Sequence, residues 1–572
     1  MIGRNVMVGV AIAFFAAAVW WFAPGPVTTH PGPDNSAPRL AILPFEIESD
    51  DANVRAFAGG IADDITTELS RYPGLAVLSR ETAQRFADDD GEAGELGVTH
   101  LLRGRIRRRS DRLTVNAWMT DTGTREQVWA KRYRGSASDL LEFQDTILED
   151  VVAALMEALP ASGGAPDASP GTESLDAYEA YLVGLTYYFE LTPEANARAA
   201  SRFRSALEAD PGFAKARAGL AKTYRRAAFA DDSFAEALGI NWAEAYLELK
   251  VLLSGEAEKT ADALVLEAGL ALRRRDYAEA AGKARQALKL EPSNVEARQV
   301  LAETLIYAGD PERGENHARL ALQLNPALPA RPTFLAGLAR YARGDTEGAI
   351  TAVRDAVAMA GRREAEFAGL LAAMLGEAGD ADGAEDMLAA YVSSLENRPR
   401  REWQVLTRTL DNPRARSWER PTVATAVYAY PFSDAAILSR IASGFEAAGL
   451  AGATLGHFPA AERNRLDDRA VRGLMFGASV EGSGETAVWR QTRSSDGAVI
   501  RTSGRGPMLQ VPEGSSRVRR GEICDTWHWK GRIIESCAAV YRIPDDAPIS
   551  VLGDYLLATE FGAFPFRQDL VN

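Results

Sequence analysis

Histidine and cysteine are scarce in this chain of 572 residues, which contains only five histidines and two cysteines. The histidines are far apart in sequence, and no combination of histidine and cysteine has the spacing of a zinc site. The sequence therefore predicts no metal centre of that kind and no cofactor. A site built from carboxylates alone stays open as an alternative.

Motifs for nucleotide binding and for serine hydrolases are also missing. The sequence has no P-loop, no G-x-S-x-G and no G-x-G-x-x-G after a strand. The formal net charge is −15, whereas nucleic-acid binding needs clustered lysine and arginine that neutralise phosphates. We therefore expect neither an enzyme of these classes nor a protein whose main ligand is nucleic acid.

An uncharged apolar run, Val6–Ala23, lies within the predicted segment 1–23. As a helix it would span roughly 27 Å, about the thickness of a bilayer core. Arg4 precedes the run, and Trp20 and Trp21 stand where an interfacial aromatic belt would lie. These features predict a single-pass anchor in a bacterial inner membrane, with the bulk of the chain in the periplasm. The alternative is a cleaved signal peptide, which also predicts export.

The two cysteines, Cys524 and Cys537, are 13 residues apart and flank a predicted hairpin with its turn at Lys530-Gly531. An even number of cysteines in an exported domain suggests one disulfide. A loop of this size would contribute on the order of 3 kcal/mol to stability. The alternative is a pair of separate buried thiols.

Two segments rich in proline and small polar residues divide the N-terminal half of the chain. Residues 24–38 are predicted to be a tether and residues 160–174 an inter-domain linker. Strand and helix patterns alternate between them, over 39–159, and predict an α/β sandwich. In its first helix Ile61, Ile65 and Leu69 share one face. We expect Asp64 and Glu68 of the same helix to lie on a solvated face.

The segments LAILPFE, FAGGIADDITTELSR, LAVLSRE, ELGVTHLLRGRIRR and VNAWMTDTGTREQVWAKRY follow one another in this domain. In this order they resemble the TolB-like N-terminal domain found beside tetratricopeptide (TPR) repeats in bacterial proteins. Many such proteins carry a class III adenylate or guanylate cyclase domain. The resemblance covers nearly all of 39–159 and departs at Ala58-Gly59-Gly60, where the family usually has Ala-Asp-Gly.

Internal periodicity is the strongest signal in the sequence. Three residues of one segment recur 34 residues later, which is the TPR period. They are Ala284, Ala287 and Pro292, which recur as Ala318, Ala321 and Pro326. Small residues let two helices approach, and the proline ends the second helix of each hairpin. An α-helical TPR solenoid is therefore predicted over 175–395, and the alternative for any single alanine-rich helix is an ordinary bundle.

Arrays of this type have a concave groove lined by first-helix side chains, which commonly binds peptides or protein segments. Alignment of the repeats predicts that eight polar side chains point toward that groove. The alternative for each is an ordinary charged or amide side chain on the surface. They are Lys215, Lys222, Arg225 and Arg226 in one hairpin, Glu296, Gln299 and Glu303 in another, and Arg340 further along. A groove lined in this way is basic at one end and acidic at the other.

The C-terminal part is predicted to change from helices to strands. Residues 396–475 have the pattern of a helical extension, and 476–572 that of a small β domain with the two cysteines. Its segments FGASVEG, VWRQTRSSDG, ICDTW, ESCAAVYR and FGAFPF resemble a C-terminal module of alphaproteobacterial cyclase-type TPR proteins.

These features favour a non-catalytic, periplasm-facing scaffold that binds a protein partner through the TPR groove or senses an envelope signal. The first alternative, implied by the resemblance, is a nucleotide cyclase of the adenylate cyclase family. No segment has two metal-binding aspartates flanking a Phe/Gly-rich strand, and the last ~90 residues are too few and too β-rich for that domain. The second alternative is an adaptor of an envelope or secretion complex.

Overall fold

The structure is a computed structural model that describes most of the chain from residue 38 onward. Its described residues are 38–48, 52–72, 74–85, 97–109, 112–136, 171–230, 232–254, 259–360, 364–396, 423–451, 462–483, 488–503, 513–529, 531–545, 553–560 and 562–569, with single positions at 146, 150 and 154. The predicted anchor, nearly all of the tether and most of the linker lie outside them. Among the described helices, none combines the length and the apolar character needed to span a bilayer.

The first domain is a six-stranded mixed sheet with helices against it. Its strands are β1 (Arg39–Ile42), β2 (Glu46–Glu48), β3 (Ala76–Val77), β4 (His100–Arg109), β5 (Arg112–Asp121) and β6 (Gln127–Ser136), and its helices are α1 (Ala52–Leu69) and α2 (Arg80–Arg85). The order is β3-β1-β4-β5-β6, with β2 also beside β4. Strand β1 is parallel to β3 and β4, while β4, β5 and β6 form an antiparallel meander.

Helix α1 has the predicted apolar face. Ile61, Ile65 and Leu69 are buried in the domain core. The helix begins at Ala52 and continues through Gly59 and Gly60. Asp64 and Glu68 therefore lie in its later turns, away from its N-terminus.

Helical hairpins follow, as the 34-residue period predicts. First helices are α3 (Leu175–Tyr188), α5 (Ala214–Phe229), α8 (Ala261–Arg273), α10 (Val295–Tyr307), α12 (Ala330–Ala342) and α14 (Ala365–Ala378). Their partners are α4 (Pro193–Ala209), α7 (Trp242–Leu253), α9 (Tyr277–Leu290), α11 (Pro311–Leu324), α13 (Thr346–Ala360) and α15 (Ala381–Glu396), with a short α6 (Asp232–Ala237) between α5 and α7. The recurring alanines at 284, 287, 318 and 321 are fully buried, which explains why small residues stand there.

Two close approaches between helices depend on glycine. The ring of Phe203 in α4 lies over Gly184 of α3 and Gly219 of α5, where an added Cβ would be 2.6 Å and 2.8 Å from the ring. After α16 (Val423–Tyr428), helix α17 (Ala435–Ala447) packs on α14. There a Cβ on Gly376 would lie 2.1 Å from the carbonyl oxygen of Gly444. Because that contact is with backbone, no side-chain rotation can relieve it.

The predicted β domain is a closed barrel of eight antiparallel strands, preceded by α18 (Asp468–Met475). The strands are β7 (Ala478–Ser483), β8 (Val488–Arg493), β9 (Ala498–Ser503), β10 (Glu513–Arg519), β11 (Glu522–Trp529), β12 (Arg532–Arg542), β13 (Tyr555–Thr559) and β14 (Gly562–Asp569). Each strand pairs with its neighbours in sequence, and β14 returns to β7. Cys524 and Cys537 stand opposite each other on β11 and β12 and form a disulfide. The sequence indicated strands but not their closure.

The contact between α14 and α17 gives a direct test of the packing. We expect Gly376→Ala to lower the free energy of unfolding by about 1–3 kcal/mol, because the methyl group would overlap backbone. The matched control is Gly282→Ala in α9, where nothing lies within 4 Å of an added Cβ. This second change should raise stability by up to about 1 kcal/mol, because alanine favours helix more than glycine does. Denaturant unfolding followed by circular dichroism measures both, and equal effects would contradict the packing.

Candidate partner-binding surface

The first helices of the array line one continuous surface that is covered at its N-terminal end by the first domain. Helix α1 packs against α3, and Lys215 of α5 reaches across to it. The ammonium group lies 2.7 Å from a carboxylate oxygen of Asp64 and 2.9 Å from one of Glu68. The Tyr178 hydroxyl also donates to Asp64, at 3.0 Å. Lys215 is thus held in an inter-domain contact.

The expectation that Asp64 and Glu68 are solvated is wrong. They are 1% and 2% exposed, because the helix face opposite the sheet is covered by the array. Burial lowers the pKa of Lys215, but the two carboxylates outweigh burial and raise it above its ordinary value. The inter-domain contact therefore contains a charged, hydrogen-bonded cluster.

A second part of the same contact involves the edge strand β3 and the turns between hairpins. The Ser79 amide donates to the carbonyl of Leu324 at 3.0 Å. The Ser293 hydroxyl donates to the carbonyl of Leu75, also at 3.0 Å. Backbone groups at this sheet edge are thereby satisfied by the ends of the second helices. The first domain is docked by hydrogen bonds as well as by ions.

Beyond the docked helix, the surface opens into a cavity of about 720 Å³, named here the first cavity. One wall comes from Thr66, Thr67 and Ser70 at the end of α1. The others come mainly from the first helices and the turns before them, with Tyr181, Tyr188, Lys222, Asp262, Glu296, Gln299, Arg331 and Phe367 among the lining side chains. Its size is within the range of ordinary ligand sites.

A second cavity, of about 550 Å³, continues along the same helices toward the barrel. It shares Glu296, Gln299 and Arg331 with the first cavity and adds Arg225 and Glu303. Thr559 and Glu560 of the barrel close its far side. The two cavities are therefore adjacent and are named together the groove, with Glu296 and Gln299 of α10 and Arg331 of α12 lining both.

Ion pairs between successive first helices cross this groove. Lys222 of α5 lies 2.6 Å from Asp262 at the start of α8. Arg331 of α12 joins Glu303 of α10 at 2.8 Å and Glu366 of α14 at 2.5 Å. The side chains of Glu296 and Gln299, in contrast, make no hydrogen bond or salt bridge to another described residue. They are available to a ligand.

The eight residues predicted for the groove divide into three groups. Lys222, Arg225, Glu296, Gln299 and Glu303 line one or both cavities. Lys215 is used for docking. The remaining two stabilise the array: Arg226 stacks 4.1 Å over the Tyr188 ring and donates to the Tyr188 carbonyl at 3.1 Å, and Arg340 pairs with Glu315 at 3.2 Å. A role in binding a partner stays a prediction for all eight residues.

The sequence did not single out Arg331, Asp262 or Glu291, although all three line the first cavity. Arg331 and Asp262 stand at the second position of their helices, as Glu296 does in α10. Comparing that position across all hairpins would have found them. Glu291 lies in the turn after α9, where the repeat frame gives no indication of direction.

Two carboxylates in the first cavity differ in their protonation. Lys222 holds the pKa of Glu296 below its ordinary value. Burial, together with the charge of Asp262, raises the pKa of Glu291 to about 7. One ammonium group, Lys222, thus faces the three carboxylates of Asp262, Glu291 and Glu296.

The barrel is docked on the other side of the array by a second buried charge cluster. Arg274, between α8 and α9, contacts Glu522 at 3.2 Å and Glu560 at 3.1 Å. Both glutamate side chains are fully buried, and Lys250 lies 3.5 Å from Glu560. Burial raises the pKa of Glu560, but Lys250 and Arg274 outweigh it and bring the pKa below its ordinary value.

Beside this cluster, Asp276, Glu279 and Glu522 bring three carboxylates within 4.8 Å of one another. Guanidinium groups already face them. Arg519 lies 3.1 Å and Arg274 3.6 Å from Glu279. Since these cations supply the charge that a metal ion would supply, the arrangement fits a domain junction better than a carboxylate metal site.

No family model matches this chain. A 202-residue stretch is 32% identical to the putative adenylate cyclase 3 of Rhizobium meliloti (strain 1021), covering 34% of this chain and 34% of that protein. The solved structure of YrrB, described as a TPR protein with an unusual peptide-binding site, aligns at 15% identity with a TM-score of 0.22, over 32% of this chain and 86% of YrrB. TolB from Acinetobacter baumannii aligns at 18% identity with a TM-score of 0.18, over 23% and 30%.

These likenesses are limited in extent. The chain spans about a third of the length of the curated relative that it matches. The assignment of TPR-like repeats depends on the helical hairpins themselves and on their buried alanines. Membership of the TolB-like and cyclase-type families stays a prediction.

The contacts of Lys215 lead to a prediction about how stably the first domain is docked. We expect Lys215→Met to weaken docking by about 3 kcal/mol, because it removes the ammonium group that contacts both buried carboxylates, Asp64 and Glu68. Hydrogen exchange of the Ser79 and Ser293 amides measures this, since both donate across the contact, to the carbonyls of Leu324 and Ser70. Both amides should exchange faster, by about a hundredfold.

Two further variants control this experiment. Lys289→Met removes an exposed lysine from α9 and should leave both amides protected. Adding Asp64→Asn and Glu68→Gln to Lys215→Met removes the stranded charges and should restore much of the protection. Unchanged exchange in the single variant would show that docking does not depend on this cluster.

Proposed function

We propose that this chain is a scaffold that binds an extended segment of a protein partner along the concave surface of its helical array. The observation that carries the proposal is the groove formed by the first and second cavities, which follows the first helices between the two docked domains. Glu296 and Gln299 stand at its centre without an internal hydrogen bond or salt bridge among the described residues. A groove lined by such polar side chains and by aromatic rings suits an extended peptide segment.

The proposal includes a location: the periplasmic side of a bacterial inner membrane, with Val6–Ala23 as the anchor. The support is the uncharged apolar run in the sequence and the disulfide between Cys524 and Cys537. Disulfides persist in oxidising compartments such as the periplasm. A role as an envelope or secretion adaptor is a special case of this proposal, in which the partner belongs to such a complex.

Site-specific photocrosslinking tests the groove in whole cells. A benzophenone amino acid in place of Gln299 should capture a discrete partner, because that side chain lines both cavities. The same amino acid in place of Gln286, an exposed glutamine on the second helix α9, is the matched control and should capture none. Mass spectrometry of the crosslinked species identifies the partner.

Two results would contradict the scaffold function. Equal crosslinking from Gln299 and Gln286 would mean that the groove is not the contact surface. Production of cyclic AMP from ATP by the purified chain would favour the catalytic alternative, which is supported by the partial match to a putative adenylate cyclase.

The thiol state in cells tests the proposed location. Acid-quenched cells treated with a maleimide of high mass should show an unlabelled chain, and reduction before treatment should label both Cys524 and Cys537. A variant lacking residues 1–23 should stay in the cytosol, and its thiols should be labelled without reduction. Labelling of the full-length chain without reductant would contradict export.

A further inference from the structure

The first cavity is lined by more acidic than basic side chains, and this charge is relevant to what it binds. Six carboxylates line the first cavity, against three basic groups. The carboxylates are those of Asp63, Glu81, Asp262, Glu291, Glu296 and Glu364, and the basic groups are those of Arg80, Lys222 and Arg331. Anionic side chains are thus in excess, in a cavity whose walls also include the aromatic rings of Tyr181, Tyr188 and Phe367.

The basic groups are engaged inside the molecule. Arg80 pairs with Asp63, Lys222 with Asp262, and Arg331 with Glu303 and Glu366. The most basic end of the array, at Lys215, is covered by the acidic face of α1. Among the described residues neither Glu291 nor Glu296 makes a salt bridge, although the charge of Lys222 acts on both.

We propose that the occupant of the first cavity is a lysine-bearing segment of the partner protein, with a lysine ammonium group between Glu291 and Glu296. The proposal deepens the scaffold function and depends on it. An ammonium group suits this position because it can donate three hydrogen bonds to separate carboxylates. The aromatic walls would contact the aliphatic stem of that lysine.

Protonation of Glu291 gives this inference a second consequence. At neutral pH its carboxyl is partly protonated, and a bound ammonium group would favour the ionised form. The groups facing it are Asp262, Lys222, Glu68 and Tyr181 from four helices and Asn294 from its own turn. Binding should therefore release protons, and affinity should rise as the pH increases from about 6 to about 8.

Fluorescence polarisation with labelled peptides tests the proposal on the full-length chain in detergent. The probes are serine- and alanine-based peptides that contain several lysines, the same peptides with acetyl-lysine, and the same with glutamate. At physiological ionic strength we expect the lysine peptide to bind at least about tenfold more tightly than the acetylated one. The glutamate peptide should not bind. This comparison needs no variant, so misfolding cannot explain its result.

A matched pair of double variants distinguishes binding in the first cavity from general attraction to the negatively charged protein. Glu291→Gln with Glu296→Gln should weaken binding of the lysine peptide by about tenfold or more and remove most of the pH dependence. Glu312→Gln with Glu385→Gln changes the net charge equally on exposed second-helix positions and should alter affinity less than about twofold.

Three outcomes would overturn the inference: equal binding of the lysine and acetyl-lysine peptides, stronger binding of the glutamate peptide, or equal loss in the two double variants. In each case a partner crosslinked at Gln299 would leave the scaffold function standing. Absence of any crosslinked partner, with selective lysine-peptide binding, would instead contradict the scaffold function while the cavity keeps its selectivity.

Discussion

Two buried ion clusters, one on each side of the helical array, join the array to the first domain and to the barrel. Lys215 joins α5 to Asp64 and Glu68 of the first domain, and Arg274 joins the array to Glu522 and Glu560 of the barrel. Removing such charges from water is costly, and only a well-placed partner offsets that cost. Each cluster therefore disfavours packed arrangements that would bury these charges without their partners. Which part of the surface formed by the first helices stays open follows from these two contacts.

Local patterns in the sequence predicted much of this fold. The alanines at 284, 287, 318 and 321 identified the hairpins, because a repeat packs mainly against its neighbours and the same small residues are needed each time. The hairpin around Gly531 placed Cys524 opposite Cys537, because a short turn fixes the register of its strands. In both cases the residues that make contact are close in sequence, so their pattern is visible without the fold.

Contacts between distant segments were not predictable in this way. Asp64 and Glu68 show the spacing of a solvated helix face, and only the position of Lys215, about 150 residues later, makes that face an interface. Closure of the barrel depends on pairing between β14 and β7, for which strand patterns carry no signal. Two of the eight predicted groove residues, Arg226 and Arg340, contact other residues of the array instead. Arg226 stacks on Tyr188, and Arg340 pairs with Glu315.

Docking of the first domain and the charge of the open cavity are linked through Glu68. This residue binds Lys215 in the docked contact, and its charge is also among those that raise the pKa of Glu291. Detaching α1 would remove a negative charge from beside the cavity and would also remove the wall formed by Thr66, Thr67 and Ser70. By reciprocity, a ligand whose affinity changes with docking must change the docking equilibrium by the same factor. A ligand of the first cavity that responds to Glu68 or to this wall would therefore also shift the docking equilibrium of the first domain.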